Sequence, residues 1–148
     1  MGRRMLFAAG CLLWVAAAGI AMGASAGNKV VEELREIASG LEQKLDKNPG
    51  DNDLRYELGA VYNELAVRGD EAALARASDL FQTVYEANPE RLDAYAFYGS
   101  TLVLRAKYAN IFRKNHWAQK GFDVLDNAAE RAPKDPAVRL IRASNAAE

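Results

Sequence analysis

The chain holds a single histidine, His116, and a single cysteine, Cys11. Without a second imidazole or thiol, neither a nucleophile with a histidine base nor an imidazole or thiolate metal site can be assembled. No glycine-rich phosphate loop is present. Carboxylates are plentiful, but Glu32, Glu33 and Glu36, like Asp123 and Asp126, recur at helical spacing and read as solvated faces rather than as acid–base pairs. No enzyme is expected, and no cofactor or metal. One cysteine also excludes an internal disulfide, so stability has to come from apolar packing.

Charge is missing from the N-terminal stretch. Arg3 and Arg4 form a short basic start, and Met5 to Met22 follows without a charged residue. Ala24, Ser25 and Ala26 then supply the small residues a signal peptidase requires. Residues 1–26 are therefore expected to be a signal peptide, leaving a helical domain over residues 27–148, exported and most simply periplasmic. Two alternatives stay open. An uncleaved anchor through residues 5–22 would be a short membrane span, and Ala8, Ala9, Gly10 and Cys11 faintly resemble a lipidation site.

Acidic and basic residues are unevenly shared. Residues 27–93 carry 8 Lys and Arg against 15 Asp and Glu, whereas residues 94–148 carry 9 against 5. The halves therefore balance to −7 and +4, while the whole chain is at −1. A mildly acidic, exported chain is not expected to bind nucleic acid.

Proline is scarce and regularly placed. Three of the four prolines, Pro49, Pro89 and Pro133, stand 40 and 44 residues apart and each closes a helical stretch. Ten residues beyond each lies a small residue at the same phase: Gly59, Gly99 and Ala143. Between them the apolar spacing is helical, as in Leu54, Leu58, Val61, Tyr62 and Leu65, or in Leu74, Ala77, Leu80, Phe81 and Val84. Gly69-Asp70 splits one repeat into two helices, and Asp135 before Pro136 is a helix start. A period of this size means stacked supersecondary units, so the fold class is all-α.

Leu58, Gly59 and Tyr62, followed by Ala77, Phe81 and Pro89, resemble the tetratricopeptide repeat (TPR) family, and Tyr95, Gly99, Leu102, Leu125, Ala128 and Pro133 match the same scheme less completely. The resemblance covers roughly Lys29 to Ala146. It implies a TPR-like α-solenoid of antiparallel helix pairs acting as a protein-interaction scaffold or adaptor. The units are longer than the family norm of about 34 residues, with the extra residues falling around Ala66–Ala72 and Lys107–Trp117. The resemblance further implies a concave groove lined by Asp53, Tyr56, Ala60 and Asn63 with Asp93, Ala96, Ser100 and Val103. The Lys and Asn arrangement that clamps a peptide carboxylate is not found there. Lys29–Lys47 reads as a second helix without its first, and Ala137–Ala146 as a first helix without its second. The uncapped C-terminal helix is thus expected to be completed by another chain or a second copy.

The most distinctive segment is Ala94–Phe122, which has no acidic residue and carries Arg105, Lys107, Arg113, Lys114 and Lys120. Seven aromatics are interleaved, among them Tyr108, Phe112 and Trp117. Cations attract anions over distance, and aromatic faces supply contact area at low entropic cost. Expected binding residues are therefore Tyr56, Asn63 and Ser100 in the groove, and Arg105, Lys107, Arg113, Lys114, Trp117 and Lys120 in the basic segment. The expected partner is a protein of acidic character, with an anionic membrane or cell-wall polymer as the alternative. Most of the aromatics are expected to pack between helices, and the basic residues read equally well as the wet side of an inter-helix insertion.

Overall fold

The computed structural model describes residues 24–146, and its elements are all helices. They are α1 (Ala24–Lys47), α2 (Asn52–Val67), α3 (Glu71–Ala87), α4 (Leu92–Tyr108), α5 (Ile111–Arg131) and α6 (Pro136–Ala146). The uncharged run over residues 5–22, expected to be part of a signal peptide, lies outside the described residues. Among the described residues, no helix is long and apolar enough to cross a membrane.

Helix starts follow local chemistry. The carboxylate of Asp51 accepts from the backbone N–H of Asp53 and Leu54 at 3.0 Å each, and Asp70 accepts from Ala73 at 3.1 Å. Asn110 accepts from Arg113 at 3.1 Å, and Asp135 accepts from Ala137 at 2.8 Å. Each satisfies a donor that the first helical turn leaves free. At α4 the preceding residue, Arg91, makes no such cap. α2 ends in a left-handed Gly69 with φ 104°, where the N–H groups of Gly69 and Asp70 reach back to the carbonyls of Ala66 and Leu65. This Schellman closure needs a residue without a Cβ penalty at positive φ.

The three proline turns are one turn repeated. Asp51 N–H donates to Asn48 O, Arg91 to Asn88 O and Asp135 to Ala132 O, at 3.0, 3.0 and 3.1 Å. In each, proline occupies the second position of a β-turn, which its fixed φ favours. The residue closing the turn then accepts, through its carbonyl, from the N–H four residues on: Arg55, Tyr95 and Arg139.

Side-chain contacts show α1 running opposite to α2, and α4 opposite to α5. Arg35 reaches Asp70 while Glu42 reaches Tyr62, which sets α1 against α2. A Cβ on Gly59 would meet the Phe81 ring, and one on Gly99 would meet Val124 and Leu125, which sets α2 against α3 and α4 against α5. Aligned on Pro89 and Pro133, Phe81 and Leu125 are equivalent residues, as Gly59 and Gly99 are when aligned on Pro49 and Pro89. The two pairs therefore use the same small-against-large contact. α6 rests on both α4 and α5. One buried cluster centres on Leu58, Leu65, Phe81 and Val84, a second on Leu92, Leu125 and Val138. In α1 the buried stripe runs through Leu34, Ala38 and Leu41, while Ile37 is half exposed.

The longer second unit is corrected by the structure. Residues 107–117 are not an insertion between helices, because α4 and α5 are joined by only Ala109 and Asn110. The additional length lies in α5 itself, which has 21 residues against 17 in α3. A difference of four is close to one helical turn, so the buried face keeps its phase. Counted back from the closing prolines, the first residue of α3, Glu71, stands opposite Asn115. The turn without a counterpart is thus Ile111-Phe112-Arg113-Lys114.

Candidate functional site

That unmatched turn is the most exposed apolar feature among the described residues. Ile111 is 80% and Phe112 91% exposed, and residues 110–116 are all solvent-facing. The turn is held as helix from both ends. Asn110 caps it with its side chain, its carbonyl accepts from Arg113 and Lys114, and the rest of α5 is clamped to α4. A Cβ on Gly121 would lie 2.6 Å from Val103 Cγ2, 2.7 Å from Val103 N and 2.8 Å from Gly99 O. Only two glycines allow the backbones to approach this closely.

Basic groups gather around the tip. Lys107 is exposed in the last turn of α4, and Arg113, Lys114 and Lys120 are exposed along α5. None of the four forms an ion pair among the described residues, whose charged contacts lie elsewhere, as in Arg91 with Asp53 and Asp93 or Arg142 with Asp126. Arg105 is half-buried with its guanidinium 4.8 Å from the centre of the Trp117 ring, and Lys120 Nζ is 5.7 Å from the same ring. Two cations therefore lie over the partly buried indole, an attractive arrangement for its electron-rich face. His116 is exposed and meets Trp117 edge-on at 5.4 Å. Among the described residues no three His, Cys, Asp or Glu side chains converge to hold a metal ion.

Lys107, Arg113, Lys114, Trp117 and Arg105 thus fall at one end of one helical hairpin, and Lys120 lies nearer its middle, beside Gly121. The groove candidates do not join them. Tyr56 stands in an aromatic cluster, 5.7 Å from Phe81 and 5.8 Å from Phe97 between centroids, with Arg91 over its ring at 4.8 Å. Burial, with Asp93 adding to it, raises its hydroxyl well above the ordinary tyrosine range, so the phenol stays protonated and structural. Ser100 is engaged with Asn145 of α6, whose Nδ2 donates to its hydroxyl at 3.1 Å. Ala96, expected to line the groove, is fully buried in the second core cluster. Asn63 differs from these. Its Oδ1 is buried without a hydrogen-bond partner, the one such side-chain atom among the described residues.

A cleft of about 250 Å³ lies between α1, α2 and α3, lined by Arg35, Glu42, Tyr62, Asp70 and Arg76. Its charges satisfy one another. Tyr62 donates to Glu42, and Arg76 reaches both Glu42 at 3.0 Å and Tyr62 at 2.6 Å. The cleft fastens α1 to the next two helices and presents no free charge. Sequence reasoning did not single out Ile111, and took Phe112 only as one of several interleaved aromatics. The available signal was Asn110 as a helix cap directly after the last residues of α4.

Comparison of the chain with family models, with curated proteins and with solved structures gives no match.

Proposed function

We propose that this chain is a non-catalytic binding protein of the cell envelope, and that it meets an anionic partner with the first turns of α5. The scaffold in this reading is a TPR-like α-solenoid of antiparallel helix pairs. Its support is the recurrence of one proline turn at three places and of one glycine-against-large contact in two helix pairs. Export rests on the uncharged N-terminal run and the small residues Ala24 to Ala26.

The single observation that carries the binding reading is the surplus turn. It projects two large apolar side chains into solvent beside two cations. A folded domain has no packing reason to add such a turn, and exposed apolar groups rimmed by charge mark interaction sites. Cations without an ion-pair partner among the described residues keep their attraction for an external anion.

Titration of the intact protein with poly-glutamate at low salt tests the reading, using Trp117 emission as the signal. Saturable binding is expected, weakening as ionic strength rises. The double substitution Arg113→Glu, Lys114→Glu should weaken it by roughly tenfold or more, with helicity unchanged. Equal binding by the variant would remove this surface from consideration.

A further inference from the structure

We infer that the partner at this surface is an anionic lipid bilayer, with Ile111 and Phe112 entering the headgroup region and Lys107, Arg113 and Lys114 lying against lipid phosphates. This assignment rests on the binding surface proposed above and names its occupant. Three observations favour lipid over a protein segment.

The first is shape. Ile111 and Phe112 stand at the tip of a helix, with residues 110–116 exposed on every side. A protein partner of ordinary stability needs about 800 Å² of matched surface per side, which one projecting turn does not offer. A fluid interface closes around a convex tip without needing a complementary groove. The second is composition. Apolar side chains at the point with cations just behind them follow the order in which a bilayer presents acyl chains and phosphates, and an indole within the same two turns suits the interfacial zone to which those phosphates belong. That indole, Trp117, has the Arg105 and Lys120 cations over its ring.

The third is the side of the molecule from which the chain arrives. The Arg35–Asp70 contact at 3.7 Å and the Glu42–Tyr62 hydrogen bond show that α1 runs away from the end at which α2 stops. The Tyr108 hydroxyl donates to Ala66 O at 3.0 Å, which brings the end of α4 level with the end of α2. The N-terminal end of α1 and the α4–α5 tip therefore share one end of the helix array. The uncharged residues 5–22 precede α1 in sequence, so their alternative reading as an uncleaved anchor sets the basic tip toward that same membrane. Two of the three acidic groups near this end of α1 are paired, Glu32 with Arg35 and Glu33 with Lys29, which limits their repulsion of an anionic surface, while Glu36 is exposed.

The test uses the full chain carrying Trp14→Phe, which leaves Trp117 as the sole tryptophan. Vesicles contain equal parts phosphatidylcholine and phosphatidylglycerol, with bromine on the upper acyl chain of one lipid or the other. Trp117 emission is expected to be quenched by brominated phosphatidylglycerol, to recover at high salt, and to recover in the Ile111→Ser, Phe112→Ser variant through partitioning weakened about tenfold or more. Insertion of the N-terminal run alone would not discriminate between the two brominated lipids. Equal or absent quenching by both overturns the lipid assignment. If poly-glutamate still shifts Trp117 emission in that case, the surface is real and its occupant is an acidic protein; if it does not, the surface itself falls. Quenching unchanged by the Ile111 and Phe112 substitutions would overturn their insertion.

Discussion

Phe81→Ala is expected to lower the free energy of unfolding by about 3–5 kcal/mol, the range for emptying a fully buried aromatic site. The ring is fully buried, stacks on Phe97 at 4.9 Å and meets Tyr56 edge-on at 5.7 Å, and fills the space left by Gly59. Its loss opens a cavity where three helices meet and removes two aromatic contacts together. Against a total of about 5–15 kcal/mol for a domain, the variant should be partly unfolded at moderate urea, followed by far-ultraviolet circular dichroism. Phe81→Leu should recover most of the loss, because Leu125 performs the equivalent task in the next helix pair. Similar midpoints for the alanine variant and the natural chain would mean that α2, α3 and α4 do not share this core.

Gly121→Ala has the second largest expected effect, opposite in sign to what helix propensity alone implies. Alanine in a helix is favoured over glycine by about 1 kcal/mol. At Gly121, however, the added methyl would lie 2.7 and 2.8 Å from the backbone atoms Val103 N and Gly99 O. Backbone cannot turn aside as a side chain can, so α4 and α5 must part. Overpacking of this kind costs about 3 kcal/mol at the upper end of its usual range, leaving a net loss of about 2 kcal/mol. Gly40→Ala is the control: nothing lies within 4 Å of the Cβ position in α1, so that variant should gain about 0.5–1 kcal/mol. Thermal midpoints moving in opposite directions would establish that the α4–α5 approach, not glycine's flexibility, sets the cost.

Much of the helical order was legible because it is written in punctuation. Pro49, Pro89 and Pro133 mark the repeated turns, Gly69 the positive-φ turn, and Asp135-Pro136 the start of the last helix. Gly99 and Ala77 were legible through the repeat. Gly121, at Ala77's position in the next unit, was not, because its importance depends on how closely another helix approaches. The surplus turn was hidden for a related reason. Apolar periodicity reports only buried faces, and residues 110–116 bury none, so a helical extension looked like an irregular insertion. The groove candidates fared unevenly for want of a third dimension: family spacing placed Ala96 on a surface, whereas the packing of Leu125 and Val138 around it makes it core.

The central claim is that Ile111-Phe112-Arg113-Lys114 is surplus to the fold and is present for binding. The most direct measurement is the urea unfolding curve of a variant with serine at Ile111 and Phe112 and glutamine at Arg113 and Lys114, followed by poly-glutamate titration of the same preparation. The expected result is a stability within about 0.5 kcal/mol of the natural chain, as for other solvent-facing changes, together with loss of anion binding. A stability loss of about 2 kcal/mol or more, with binding retained, would show that the turn serves packing and contradict the claim.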